Sequence, residues 1–171
     1  MKNIGIVIFA FVVFAVGGSL FHLLGFSYFR PDLLCIIVSY LSMRRDWTSG
    51  ILISAICGTF FAFHHGTPAA FFIMDSIFIF FFMRLCLLRL NLRHLPFMAG
   101  FTFVSAIASQ MFITLLLDLF YRTDQQMSPE LIIRVLFVAS ATAVFAFPLM
   151  LLMQRLEEFL TPVVRDNYLL K

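Results

Sequence analysis

Apolar residues occupy six long stretches of this chain, separated by short breaks that are polar or contain proline. A helix rises about 1.5 Å per residue, so crossing about 30 Å of hydrocarbon takes about 20 mostly apolar residues. The pattern predicts an all-α, polytopic membrane protein with segments at about residues 4–25, 32–43, 47–64, 69–90, 97–121 and 130–160. Because the breaks are short, we expect residues 1–171 to form a single integral membrane domain.

The second segment is too short for an ordinary crossing. Pro31 and Asp32 favour a helix start, because proline suits the first turn and an acidic side chain is stabilised at a helix N-terminus. The apolar run at 33–43 then holds only eleven residues before Arg44 and Arg45. We therefore expect a tilted, thinned or partly re-entrant element that is buried by its neighbours.

Single residues mark further features of the helices. Trp47 is typical of an anchor at the membrane interface. Gly50 and Gly58, on the third segment, permit close approach of another helix. Pro129 suits the first turn of the last segment, and Pro148 predicts a kink within it.

Composition agrees with a membrane location. The chain is 62% hydrophobic and 12% charged, whereas a soluble domain is about half apolar and about a quarter charged. A net charge of +3 would suit nucleic-acid binding, but the basic residues are scattered at the ends of apolar runs instead of sharing one face. We therefore expect no nucleic-acid partner. The three cysteines lie within apolar runs and are interpreted as packing residues.

The distribution of basic residues predicts the orientation. With six crossings, nine of the twelve basic residues fall on the side of the N-terminus and three on the other. The nine are Lys2, Arg44, Arg45, Arg84, Arg89, Arg93, Arg155, Arg165 and Lys171. The three are Arg30, Arg122 and Arg134. Basic residues in short loops favour the cytoplasmic side, so both termini are expected in the cytoplasm, with basic turns at Arg44, Arg45, Arg89 and Arg93.

Polar residues inside or beside the apolar segments are the candidates for lining a cavity or contacting a partner. An ionisable group at the bilayer centre costs about 3 kcal/mol or more and usually faces the interior of the helix bundle. The deepest is Asp75, which either lines a ligand or ion pathway or is a packing residue satisfied by Ser76 or by a neighbouring helix; we favour packing. The full candidate set is Asp75, Asp118, Gln110, Arg134, Arg30 and Asp32.

Two further groups of polar residues have structural interpretations. Asp118 and Arg134 flank one short loop and are expected to form an interfacial ion pair. His64 and His65 occupy a turn without a third ligand nearby, so no metal site is expected. The sequence contains no recognisable catalytic triad, phosphate-binding loop or metalloprotease motif. We therefore expect no enzymatic activity and no cofactor.

The order of several motifs carries a resemblance to a known family. The motifs are Phe29-Arg30-Pro31-Asp32, Tyr40-Leu41 before a basic turn, a helix from Gly50 to Gly58, the turn His65-Gly66-Thr67-Pro68, Phe147-Pro148-Leu149-Met150 and Met153-Gln154-Arg155. Over about residues 4–160 the chain resembles the bacterial rod shape-determining protein MreD family. One departure is plain: family members commonly carry an aspartate late in the third helix, and residues 58–66 contain none.

The resemblance implies a non-enzymatic role in the bacterial inner membrane, in the maintenance of cell shape through peptidoglycan synthesis. The implied partners are MreC, and through it the glycosyltransferase RodA, a class B penicillin-binding protein and the actin-like MreB. It also implies a fold similar to the substrate-binding components of energy-coupling-factor transporters. The alternative is that the chain is itself such a component, binding a vitamin or another small molecule.

Overall fold

The structure is a computed structural model that describes residues 2–23, 31–65, 68–90, 95–121 and 129–160. Within these residues the chain forms six α-helices. They are α1 (Lys2–Leu23), α2 (Leu33–Arg44), α3 (Trp47–His65), α4 (Ala69–Leu90), α5 (Leu95–Tyr121) and α6 (Pro129–Leu160). The prediction of an all-α chain is confirmed, and each helix lies close to the segment predicted for it.

The helix ends follow local sequence signals. α2 begins after Asp32, whose side chain accepts a hydrogen bond from the Cys35 N–H, so one of the free N–H groups of the first turn is satisfied. α6 begins at Pro129 with Glu130 in its first turn, as the sequence predicts. Pro148 lies inside α6, which continues to Leu160.

The short helix α2 forms the centre of the molecule. Residues 31–42 are all buried, and α2 packs against each of the other five helices. Its 12 residues rise about 18 Å, well short of the hydrocarbon thickness. A helix that is apolar on every side belongs in an interior, so the prediction of a short helix buried by its neighbours is confirmed.

At Gly58, α3 packs closely against the backbone of α4. A Cβ atom built on Gly58 would lie 2.6 Å from the Phe72 carbonyl oxygen and 2.8 Å from the Ser76 hydroxyl. Only the absence of a side chain allows the two helices to pack at this separation.

Three of the described helical stretches are long and apolar enough to cross a membrane: Ala69–Leu90, Leu95–Phe120 and Pro129–Phe159. Shorter apolar stretches lie at Gly5–Gly17, Leu33–Arg44 and Trp47–Phe63. Many large apolar side chains on the outer faces are exposed, among them Leu119, Val144 and Phe159. Surface of this kind fits hydrocarbon much better than water, and together these features indicate a membrane protein.

Candidate functional site

Two groups of polar side chains interrupt the apolar interior around α2. The Asp75 cluster consists of Asp75, Cys35, Thr102, Ser105 and Ser109. The Glu157 cluster lies at the C-terminal end of α2 and consists of Tyr40, Ser42, Arg45, Arg84 and Glu157. Buried polar groups are costly unless they are hydrogen-bonded, so the contacts of each cluster indicate what it does.

Asp75 lies on α4 and is only 1% exposed. The Ser109 hydroxyl, on α5, donates a hydrogen bond of 2.9 Å to Asp75 Oδ2. The other carboxylate oxygen, Oδ1, is buried and has no hydrogen-bond partner among the described residues. A neighbouring helix therefore supplies a hydrogen bond to one of the two carboxylate oxygens, as the packing interpretation expects. Ser76 does not contribute, because its hydroxyl bonds to the Ile73 carbonyl at 2.9 Å.

Small polar residues of α5 share one face with Ser109, and Cys35 of α2 contacts two of them. Thr102, Ser105 and Ser109 are all fully buried, and their spacing of three and four residues places them on one face of α5. The Cys35 thiol, on α2, lies 3.5 Å from Ser105 Oγ and 4.0 Å from the Thr102 carbonyl oxygen. Ser39 follows one helical turn after Cys35, and its buried hydroxyl has no hydrogen-bond partner within the described part of the chain.

Asp32 connects the beginning of α2 to α6. Its Oδ1 accepts the Cys35 N–H at 3.0 Å, while its own N–H donates to Thr142 Oγ1 at 2.9 Å. The Thr142 hydroxyl in turn donates to the Val138 carbonyl at 2.7 Å. An N-cap of this type is worth about 1 kcal/mol, so the side chain of Asp32 has a structural role at the start of the central helix.

The Glu157 cluster joins α2 to α6. The Tyr40 hydroxyl donates to Glu157 Oε2 at 2.8 Å, and Arg45 forms an ion pair with Glu157 Oε1. The side chains of Arg45 and Glu157 are only 13% and 17% exposed, so water screens the pair much less than it screens a surface pair. One carboxylate thus holds both a buried tyrosine and a largely buried arginine.

Arg84 extends this cluster to α4 and α3. It donates to the Ser42 carbonyl at 2.6 Å and to the Arg45 carbonyl at 3.3 Å, which satisfies acceptors at the end of α2 that have no partner within the helix. Its guanidinium also lies 5.7 Å from the ring centroid of Trp47, within range of a cation–π contact. Trp47 therefore helps to position Arg84.

Replacing Tyr40 with phenylalanine is expected to lower the free energy of unfolding by about 1–2 kcal/mol, because a buried hydrogen bond to a charged acceptor is lost without a change of shape. The measurement is the unfolding midpoint of the detergent-solubilised protein. Ser140→Ala is the control, since Ser140 is exposed and its hydroxyl only bonds back to Leu136. Equal midpoints for the two variants would contradict the role of the hydroxyl.

The remaining predicted residues lie apart from both clusters. Gln110 is half-buried on α5. Asp118 and Arg134 are exposed. Among the described residues the ion pair found joins Arg45 and Glu157, so the expected pair between Asp118 and Arg134 does not form. The basic residues Arg44 and Arg89 are exposed at helix ends. Arg30 and Arg93 lie outside the described residues.

Sequence reasoning missed the partners of α2 in the Glu157 cluster. Glu157 lies among the charged residues near the end of the final segment, and no contact with α2 was predicted for it. The signal that could have found it is the hydroxyl of Tyr40 in an otherwise apolar run, directly before Arg45. A buried tyrosine usually requires a hydrogen-bond partner, and an acidic residue on another segment was the natural choice.

Among the described residues, no group of three or more histidine, cysteine or acidic side chains is placed to hold a metal ion. Comparisons of the chain with models of protein families, with curated proteins and with solved structures gave no match.

Proposed function

We propose that this chain is a non-enzymatic membrane scaffold of the bacterial cell-wall elongation complex, which maintains cell shape through peptidoglycan synthesis. In this proposal six segments lie in the inner membrane, with both termini in the cytoplasm. The proposal includes a fold similar to that of the substrate-binding components of energy-coupling-factor transporters, as the resemblance implies.

The observation that carries the proposal is the position of α2. This helix and the two residues before it carry the motif from Pro31-Asp32 to Tyr40, on which the resemblance to the MreD family depends most. Asp32 caps α2, and Tyr40 connects it to Glu157 on α6. Because α2 contacts all five other helices, side chains of the protein itself occupy the centre of the bundle. A rigid body of this kind suits a scaffold.

The outer faces of the long helices supply the surface that such a scaffold would present. On α6 exposed side chains include Ile133, Phe137 and Val144, and on α5 they include Met111 and Leu115. Apolar faces of this type pack against membrane lipid and against helices of other membrane proteins. The proposed partners are MreC and, through it, RodA, a class B penicillin-binding protein and MreB.

Depletion of the protein from a rod-shaped host that depends on it is expected to produce round cells, and re-expression should restore rods. A tagged chain solubilised in mild detergent should retain a single-span partner with a coiled-coil domain. The control is an unrelated tagged multi-span protein of the same membrane, treated identically. Normal cell shape after depletion, together with equal recovery of the partner by both tagged proteins, would rule out the scaffold.

The alternative, a substrate-binding component of a vitamin or small-molecule transporter, is favoured by one observation. No described residue bonds to the buried Asp75 Oδ1, and a polar ligand would satisfy it. A transporter component should retain one small molecule through purification, detectable by mass spectrometry of the denatured protein. Depletion should then abolish uptake of that molecule and leave cell shape unchanged.

A further inference from the structure

Arg84 is a half-buried cation that forms no ion pair with a described acidic residue. Its two hydrogen bonds both come from Nη1 and go to the carbonyl groups of Ser42 and Arg45. The other terminal nitrogen, Nη2, therefore has no bond to a described residue. The ion pair found in the described part of the chain joins Arg45 to Glu157, so Arg84 retains an uncompensated positive charge. A charge that is partly removed from water is costly unless it is paired.

Arg84 shares one face of α4 with exposed apolar side chains. Phe81 precedes it by three residues and Leu88 follows it by four, a spacing that places all three on the same side of the helix. Phe81 is 39% exposed and Leu88 is 66% exposed. Trp47 borders the same place, because its ring centroid lies 5.7 Å from the guanidinium and 5.4 Å from the ring centroid of Phe81. An exposed apolar face of a membrane protein contacts lipid, so the guanidinium lies beside lipid molecules.

The contacts of Arg84 place its charge near the membrane surface instead of at the bilayer centre. The guanidinium bonds to the carbonyl group of Arg45, which follows the last residue of α2. The sequence neighbours of Arg45 are Arg44 and Asp46, and both are charged and exposed. Exposed charges of this kind belong at the level of the lipid headgroups, and a tryptophan such as Trp47 is typical of that level. The phosphate groups of lipids lie there too.

The charges around this point leave one positive charge in excess. The basic residues are Arg44, Arg45 and Arg84, and the acidic residues are Asp46 and Glu157. Three positive and two negative charges sum to one positive charge, which one phosphodiester group matches. Arginine suits this ligand, because a guanidinium can donate parallel hydrogen bonds to phosphate oxygens. Since Nη1 of Arg84 is held by the carbonyl groups at the end of α2, Nη2 is the nitrogen that remains for the phosphate.

We propose that the surface formed by Trp47, Phe81 and Arg84 binds an anionic phospholipid. The phosphodiester group accepts hydrogen bonds from Arg84 Nη2 and neutralises the charge that the described acidic residues leave uncompensated. The acyl chains run along Phe81 and Met74, toward the beginning of α4. Met74 is suited to this contact, because it is 44% exposed and lies seven residues before Phe81, on the same face of the helix. This inference does not depend on the scaffold proposal, because it concerns only the contact of the chain with its lipid.

The test uses the fluorescence of Trp47, which is the only tryptophan of the chain and borders Arg84. Lipids with brominated acyl chains quench a tryptophan that they contact. The full-length chain is placed in bilayers of phosphatidylglycerol and phosphatidylcholine in equal amounts, with bromine first on one lipid and then on the other. The ratio of the two quenching efficiencies measures the preference of the surface for the anionic lipid. We expect a preference of about fivefold, the factor that one arginine near a membrane surface supplies.

Arg84→Gln removes the charge and should lower this ratio to about one. Arg89→Gln is the matched control, because Arg89 lies on the same helix and is exposed, and it should retain the wild-type ratio. Arg84→Lys keeps the test decisive if Arg84→Gln does not fold, since lysine keeps the charge and a donor for the carbonyl groups of α2. It lacks the second terminal nitrogen and should lower the ratio by at least about twofold.

Three results would overturn the proposal. The first is equal quenching by both brominated lipids in the wild-type protein, which needs no variant to fold. The second is a wild-type ratio in Arg84→Lys. The third is a loss of preference in Arg89→Gln as large as that in Arg84→Gln, because it would show a diffuse attraction to the basic end of the bundle instead of a site at Arg84.

Discussion

Gly58→Ala should lower the free energy of unfolding by about 1–3 kcal/mol, although alanine is the better helix former. The new Cβ would lie 2.6 Å from the Phe72 carbonyl oxygen and 3.0 Å from the Phe72 carbonyl carbon. These are backbone atoms of α4, so a side-chain rotation cannot relieve the contact. The helices α3 and α4 must therefore move apart, and this movement disrupts the packing of α4 against α2.

Gly100→Ala provides the matched control on α5. A Cβ at Gly100 meets no atom within 4 Å, so only the gain in helix propensity remains, about 1 kcal/mol in favour of the variant. The two substitutions are chemically identical and should change stability in opposite directions. Unfolding midpoints in detergent measure both. Equal stability of Gly58→Ala and Gly100→Ala would contradict the close packing of α3 against α4 at Gly58.

The elements of the fold could be predicted because a membrane-embedded chain has few options. Long apolar runs must be helical to satisfy their backbone hydrogen bonds, and the breaks at Pro31, 66–68 and Pro129 are visible in the sequence. The burial of α2 was also predictable from its length. A run at 33–43 that is too short to cross the membrane has to be covered by other helices.

The contacts between helices were not predictable from the sequence in the same way. Asp75 is conspicuous because it is a charge inside an apolar run, but the sequence does not show which helix faces it. Its partner, Ser109, lies on α5 and is 34 residues away. Ser76, the adjacent residue, was the natural local candidate, but its hydroxyl bonds to its own helix. Which side chains pair depends on how each helix is rotated about its axis and on where the helices cross. When a helix is apolar on both faces, the apolar pattern of its sequence constrains this rotation only weakly.

The prediction about charged residues near helix ends failed for a related reason. Asp118 and Arg134 were expected to pair because they are close in sequence, but both are exposed. Arg45 instead pairs with Glu157, which is 112 residues away. An exposed ion pair contributes little to stability, so sequence proximity alone does not select it. The pair that forms is the one that the packing of α2 against α6 shields from water.

Glu157→Ala is the second substitution with a large expected effect. It removes the ion-pair partner of Arg45 and the acceptor of the Tyr40 hydroxyl in one step. Loss of one member of a buried pair costs about 3–5 kcal/mol, because the other charge remains buried without compensation. The two side chains here retain 13% and 17% exposure, so we expect the free energy of unfolding to fall by about 2–4 kcal/mol.

Glu158→Ala is the control, because Glu158 is exposed and bonds only to Gln154 on the same helix, at 3.0 Å. Its loss should change stability by less than about 0.5 kcal/mol. Glu157→Gln separates the two contributions of Glu157, since an amide oxygen still accepts from Tyr40 but does not neutralise Arg45. The free energy of unfolding of Glu157→Gln in detergent should lie between the values for the wild type and for Glu157→Ala. If Glu157→Ala matched Glu158→Ala, α2 and α6 would not be joined through this carboxylate, and the Tyr40 hydrogen bond would lose its structural role as well.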